Sequence, residues 1–409
     1  MAKDTVEDEL VACRCCGEDS FIEIWNCGPQ PLCFDYGKGG YLESVAVRFP
    51  FGVGECRNCT VIQLSHPVPP NSLVPRLSWV KNKEPEDHLS RLASDLAYLV
   101  TDPNFKVLLI SSFDEALGKR LKERVPVELT RLNPSVDLGI AQAEPGQALI
   151  QKAVTDLQAE LDRPFFGKFD LVVCCRMLEH AHQVHEFVAK VTKFLNPDGR
   201  LLFEIPESSK SLQQGDVGML WEEHTNYFTE HSMRHFAAAN SLAIEKIWVY
   251  EYLQEDALAV LVKQNCRGLS VSEHAPRKPS ECARYAKRLS RYANASTRLF
   301  QKLKENHGNL VVLGAGHRAI MFINLFQLAD LITAVIDDDE RKQGLFIPGT
   351  QIPIEASSRF SDRAIGVCLF AIGIESEDRV RRMLDTRFDR SLEYYSISPD
   401  SPLALPFFQ

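Results

Sequence analysis

No apolar stretch in this sequence is long enough for a membrane helix. The longest uncharged one, Ala364 to Ile374, falls well short of the roughly 20 residues that a bilayer demands and reads as a buried strand. An excess of positive charge is also missing. Its 46 Lys and Arg face 55 Asp and Glu, a formal charge of −9. Such a surface argues against nucleic acid as the main partner, because phosphate binding needs a basic face, although a local pocket for one diphosphate is compatible with it. From Met1 to Glu9 the chain is polar and acidic, with no apolar segment of the secretory kind, so the expected setting is cytoplasmic. Internal repeats and low-complexity tracts are absent as well. At 409 residues, 45% of them hydrophobic, the chain exceeds one ordinary core and predicts two or three domains.

Cysteine, by contrast, is plentiful. Seven of the twelve lie in the first 59 residues, and in a reducing compartment metal ligation is the first use to consider. Cys13/Cys16 and Cys56/Cys59 form two CxxC pairs. Each such turn aims two thiolates at one point, and two turns supply the four ligands of a structural, tetrahedral zinc ion with no open catalytic position. Cys15 could compete with a neighbour as ligand. Little periodic sequence surrounds these pairs, so a metal would supply what a small apolar core cannot.

Beyond this segment, taken as residues 1–85, strand-like and helix-like patterns alternate. Val107 to Ile110 and Phe169 to Cys175 are buried-strand runs; Asp114 to Arg124 and the apolar face Val184, Phe187, Val188, Val191, Phe194, Leu195 are helical. Asn196-Pro-Asp-Gly199 is expected to end that helix and turn into a strand over 200–205. Strands separated by helices imply an α/β domain with a largely parallel sheet over 86–266. Residues 267–306 read as a helical connector, with Tyr285, Leu289, Tyr292, Leu299 and Leu303 at helical spacing. A second Rossmann-like α/β domain is expected over 307–409.

The motifs then become specific. Cys13-x-x-Cys16-Gly, Gly28-Pro-Gln-Pro-Leu32, Leu178-Glu-His180, Leu195-Asn-Pro-Asp-Gly199, Glu223-His-Thr-Asn-Tyr-Phe228, Val312-Leu-Gly-Ala-Gly316 and Lys342-Gln-Gly-Leu-Phe-Ile-Pro-Gly349 resemble, in order and spacing, the zinc-containing sugar C-methyltransferases. The resemblance implies a zinc-binding N-terminal domain, a class I methyltransferase domain and a C-terminal Rossmann-like domain. It further implies S-adenosylmethionine as cofactor and a nucleotide-linked keto-sugar or related carbonyl compound as substrate. Such a reaction removes the proton α to the carbonyl and transfers a methyl group to the resulting carbanion. Glu223 and His224 match the family's proton-transfer pair. By position, Ser111, Ser112, Asp114, Asn133 and Glu179 fall to the cofactor, and Trp79, Trp221, Tyr227, Gly314, Gly316 and Arg318 to the substrate.

Glycine is missing where the family needs it. A class I methyltransferase follows its first strand with a glycine-rich turn, so that the backbone can pass close beneath the cofactor. Here that turn reads Ile110-Ser-Ser-Phe-Asp-Glu115. Where an acid ordinarily accepts both ribose hydroxyls at the end of the second strand, this chain has Asn133, which offers one acceptor oxygen. Trp79 and Trp221 stand where the family has phenols, and an indole cannot relay a proton. The C-terminal Gly314-Ala-Gly316 follows a strand and precedes a helix, with Asp337 about twenty residues on, a dinucleotide-like setting without an accompanying catalytic set. Two readings therefore stand: a methyltransferase with an altered cofactor turn, or a catalytically inactive homologue serving as a ligand-binding or assembly partner.

Overall fold

A computed structural model describes residues 11–38, 47–74, 86–142, 145–157, 165, 167–264, 280–362, 365–387 and 392–409. Three sheets organise them. The first is antiparallel: β1 (Val11–Ala12), β2 (Asp19–Pro31), β3 (Arg48–Cys56) and β4 (Ile62–Leu64) run in order, and then β9 (Asn226–Tyr227) is added at the edge. This last strand comes from the middle of the chain. Ile62 pairs with Tyr227 and Gln63 with Asn226, so the N-terminal sheet is completed by the segment that carries the Glu-His pair.

The second sheet contains β5 (Lys106–Leu109), β6 (Glu128–Arg131), β7 (Phe169–Cys175), β8 (Leu195–Glu207), β10 (Leu242–Tyr250) and β11 (Asp256–Gln264), in the order β10-β11-β8-β7-β5-β6. β8, β7, β5 and β6 are parallel, while β11 and β10 return antiparallel along one edge. Val107, Leu108, Leu171, Val172, Leu201 and Leu202 are fully buried, as strands covered on both faces require. The helices α1 (Asp87–Leu96), α2 (Asp114–Lys122), α3 (Gln147–Asp156), α4 (Val184–Val191), α5 (Ser209–Gln214) and α6 (Glu230–Ala239) accompany this sheet. One expectation is corrected here: β8 begins at Leu195, so Asn196 to Gly199 lie within the strand and are not a turn ahead of it. Asn196 donates to the Asp170 carboxylate across β7, which fixes the strand's start.

α7 (Glu281–His307) is the long connector helix. Ser280 caps its first turn, and its buried Cys282, Tyr285, Leu289, Tyr292, Ser296, Phe300 and Leu303 recur every three or four residues. Tyr285 and Tyr292 donate to the carbonyls of Asp216 and Gln214, so this helix is tied to the central domain. The third sheet is wholly parallel: β12 (Asn309–Leu313), β13 (Ile332–Ile336), β14 (Ile354–Glu355), β15 (Ile365–Phe370) and β16 (Glu393–Ser396), in the order β14-β13-β12-β15-β16. Helices α8 (His317–Leu325) and α9 (Ile374–Arg387) belong to it. Its neighbours on either side of β12 make the end of that strand a topological switch point, where open α/β sheets bind ligands.

The cores are continuous across these units. Cys13, Cys16, Cys56 and Cys59 pack in one apolar cluster with Leu178, Ala181, Val184, Phe228 and Phe236. A second cluster joins Phe51 and Ile62 of the first sheet to Trp221 and Tyr227 and to Ile320, Phe322 and Val335 of the third. No described helix is long and apolar enough to cross a membrane.

Candidate functional site

The four thiols of the two CxxC turns converge. Cys13 Sγ lies 3.7 Å from Cys59 Sγ, and Cys16 Sγ 3.7 Å from Cys56 Sγ; all four side chains are buried. Tetrahedral zinc with bonds of about 2.3 Å separates its sulfurs by about 3.8 Å, so the donor set and its spacing fit the ion. Backbone N–H groups of Cys15, Asn58 and Cys59 point at the sulfurs, and Gln63 Nε2 donates to Cys13 Sγ at 3.0 Å. Such donors stabilise thiolates. Cys15 is no competitor: its thiol turns away, toward Asn226 Oδ1 at 3.6 Å.

A second cluster forms at the carboxyl end of β7, where the chain turns toward α4. Ligating atoms of Glu179, His180 and His224 lie within 4.8 Å of one another. The rings of His180 and His224 meet edge to face with centroids 4.8 Å apart. Trp221 is tilted against His224, also at 4.8 Å, and stacks on His317 at 5.0 Å. His317 opens α8, so this box of three imidazoles and an indole spans the seam between the second and third sheets. Burial dominates its electrostatics. It pulls His180 down to about 3 and His317 to about 4, and drives His224 well below the ordinary histidine value with help from His180, His317 and Arg176. All three rings are neutral at neutral pH. A hydrogen bond to the Glu223 backbone holds His180; Glu223 itself is half-buried.

Arg176 stands behind this box, in left-handed backbone at φ 56°. Its guanidinium pairs with the buried Glu204 at 3.1 Å, which also meets His88 Nε2 at 3.1 Å. Burial works against ionisation of Glu204, but Arg176 and His88 outweigh it and hold the carboxyl below its usual value. Neither His180, His317 nor Arg176 stands out by spacing alone. His180 was visible within Leu178-Glu-His180, and His317 follows directly on the C-terminal glycine turn.

The expected site residues divide by placement. Trp79 lies outside the described residues. Trp221 and His224 share the box. Tyr227 is buried in the first sheet, where its hydroxyl meets the Trp221 backbone. Glu222, which the Glu223-His224 motif masked, is buried; its Oε1 accepts from Cys33 N at 2.5 Å while Oε2 finds no hydrogen bond among the described residues, and burial pushes its carboxyl up to about 7.

The turn after β5 satisfies itself. Asp114 is fully buried and accepts from Ser111 N and Cys175 N, both at 2.6 Å. Burial raises its carboxyl to about 7. Asn133 Oδ1 accepts from Ser135 N, Ser135 Oγ and Val136 N in a local turn. Glu115 pairs with Arg131. The polar groups of this turn are thus largely spent on one another, while Ser112 and Phe113 stay exposed beside the strand ends.

The C-terminal glycine turn is closed in a similar manner. A Cβ at Gly314, where φ is 105°, would meet Ala371 O at 2.8 Å, whereas one at Gly316 would meet nothing. Asp337 accepts from Ala315 N and from Lys342, both at 2.9 Å. The acid that would take a ribose is thus spent on the turn. Arg318, expected near a substrate phosphate, instead pairs with Asp216 at 2.9 Å and donates to Ser398 Oγ; Gly218 leaves room for its guanidinium.

Among solved structures, a 1,6-didemethyltoxoflavin-N1-methyltransferase from Burkholderia thailandensis is 14% identical, with 44% of this chain and 80% of that one covered at a TM-score of 0.30. A geranyl diphosphate methyltransferase is 13% identical, covering 43% and 85% at 0.31. In sequence, the C-methyltransferase NovU of Streptomyces niveus is 23% identical over 227 residues, 54% of this chain and 53% of that protein. The chain thus matches about half the length of this curated relative. Three family models match in succession: "Putative zinc binding domain" over residues 13–73, "Methyltransferase domain" over 93–247 and "C-methyltransferase C-terminal domain" over 262–371. With its four-cysteine centre, its Rossmann-like central sheet and these three domain matches in this order, the chain is similar to the zinc-binding C-methyltransferases.

Proposed function

We propose that this protein is a C-methyltransferase acting on a nucleotide-linked keto-sugar or a related carbonyl compound, with His224 and Glu223 at the site of proton transfer. The observation that carries this reading is the meeting of His224, His180 and Glu179 with Trp221 and His317 between the second and third sheets. A neutral imidazole is the form that accepts a proton, and burial keeps His224 in that form. The proton α to the substrate carbonyl passes to a ring nitrogen of His224, and the C–H electron pair moves into the enolate. The indole N–H of Trp221, whose ring lies against His224, would be the donor to that oxygen, and His180, whose one N–H is held by the Glu223 backbone, orients the pair. Ser112 and Phe113 would hold S-adenosylmethionine, which supplies the electrophilic methyl group.

The test needs no cofactor. A nucleotide-linked keto-sugar incubated in deuterated water should exchange its α-hydrogen in the presence of the protein, and His224→Gln should abolish this. Wild-type protein that catalyses neither exchange nor methyl transfer on a panel of such sugars would overturn the proposal. A second reading, the inactive homologue that binds a ligand or partner, draws support from the self-satisfied turn of Ser111, Asp114 and Asn133. Calorimetric titration with S-adenosylmethionine separates the two, since the inactive homologue should give no heat at millimolar cofactor.

A further inference from the structure

Two residues of the first CxxC turn do not face the metal. Between Cys13 and Cys16, Arg14 and Cys15 point the other way, into the central domain. Arg14 donates from one nitrogen to Leu64 O at 2.8 Å and to Thr225 O at 2.9 Å. Cys15 donates its thiol to Asn226 Oδ1. The backbone joins in, for Arg14 O accepts from His185 N and Cys15 O from Asn240 Nδ2.

Thr225 and Asn226 immediately follow His224, and they also grip the loop that carries His180. Both of their backbone N–H groups donate to Glu179 O, at 2.6 and 3.1 Å. Asn226 Nδ2 donates to Leu178 O and Ala181 O, each at 2.8 Å, and Thr225 Oγ1 donates to Ala181 O at 2.9 Å. Gln63 closes the circuit by bonding Cys13 Sγ while pairing with Asn226 across the sheet. Charge points the same way. Four thiolates around one divalent ion carry a net charge of about −2. Arg14 is the neighbouring cation, and among the described residues it has backbone carbonyls but no carboxylate for partners. A buried guanidinium needs such compensation.

From this geometry we infer that the zinc turn is a positioning device: Arg14 and Cys15 transmit the metal's rigidity to the paired loops 178–181 and 221–227 and so set the distance between His180 and His224. They are positioning residues, since neither touches the box. The inference rests on the proposed reaction only for the use of that box; the order of the loops is measured without substrate, so the two can fail separately.

Hydrogen exchange by mass spectrometry on the full chain, with metal content determined alongside, tests it. Arg14→Met and Cys15→Ala should retain zinc, because neither residue is a ligand. Their amides at 176–185 and 221–227 should exchange at least about tenfold faster than in the wild type, with β12 and β15 unchanged. The ¹⁵N imidazole resonances of His180 and His224 should shift, while that of the exposed His307 should not. Cys15→Ser, which keeps a donor of similar size, should restore wild-type exchange. Should the Arg14 variant not fold, chelation of zinc from the wild type gives the same readout at the same two loops. Loops that stay protected and imidazoles that stay unshifted in zinc-loaded Arg14→Met, or in the zinc-free wild type, would overturn the inference.

Discussion

At the scale of single residues, burial decides more than sequence neighbours do. Glu222 and Glu223 are adjacent and chemically alike, yet Glu222 is sealed beside Cys33 and raised to about 7. The folded chain therefore holds a proton on Glu222 that the unfolded chain has released, and this favours folding at low pH. Its advantage fades as pH climbs from about 4.5 to about 7, and the lost stability is on the order of 3 kcal/mol. Glu222→Gln keeps the acceptor for Cys33 N and removes the titration. The difference in urea midpoint between this variant and the wild type should move in the variant's favour from about pH 5 to about pH 8; a constant difference would mean that Glu222 stays ionised throughout. His224 shifts in the opposite sense, because its folded value lies well below that of a free imidazole. Its base form persists on acidification, so the acid limb of α-hydrogen exchange should fall below about pH 6.5. A limb at or above that value would assign the base to another group.

At the scale of elements, the turn between β5 and α2 is where this chain departs from the methyltransferases it resembles. Glycine ordinarily leaves the backbone bare for a ligand; here Ser111 N is bonded to Asp114 and Ser111 Oγ accepts from Phe113 N. Reopening the turn with Ser111→Gly and Glu115→Gly, together with Asn133→Asp, should tighten S-adenosylmethionine binding by about tenfold or more, since each charge-assisted hydrogen bond regained is worth about 1.5–3 kcal/mol. Isothermal titration would measure it, and low-micromolar affinity in the unmodified chain would show that Phe113 and the strand ends suffice. The elements themselves were largely legible in the sequence. Phe169 to Cys175, apolar but for Asp170, forms β7; the helical spacing of Tyr285, Leu289 and Tyr292 forms α7. Less legible were contacts between elements with no local signature. Nothing around Asn226 and Tyr227 announces a strand two residues long, because its partner β4 lies more than 160 positions earlier. The spending of Arg318 on Asp216 is equally a tertiary fact.

For the molecule as a whole, the zinc centre and the proposed reaction site are parts of one packed body. The ligand cysteines share an apolar cluster with α4 and α6, so losing the metal should not release a separate small domain. Cys56→Ser should lower the thermal midpoint of the first two sheets together, in a single transition seen by both calorimetry and tryptophan fluorescence. Two resolved transitions, with only the earlier one moved, would show that the sheets fold apart.

The borrowed strand β9 also has a consequence in time. A ribosome delivers residues 11–64 long before residue 227, so during synthesis the edge of β4 stands open with its N–H and C=O groups exposed. Such an edge pairs with whatever strand arrives, including that of a neighbouring nascent chain. Early capture of zinc would stiffen the cysteine turns during that wait, and closure of the edge would mark the moment at which the loop bearing His224 is locked beside its partner. The order of delivery is thus written into the topology: the cysteine turns first, the strand that closes β4 only after the four parallel strands of the central sheet, and the third sheet last.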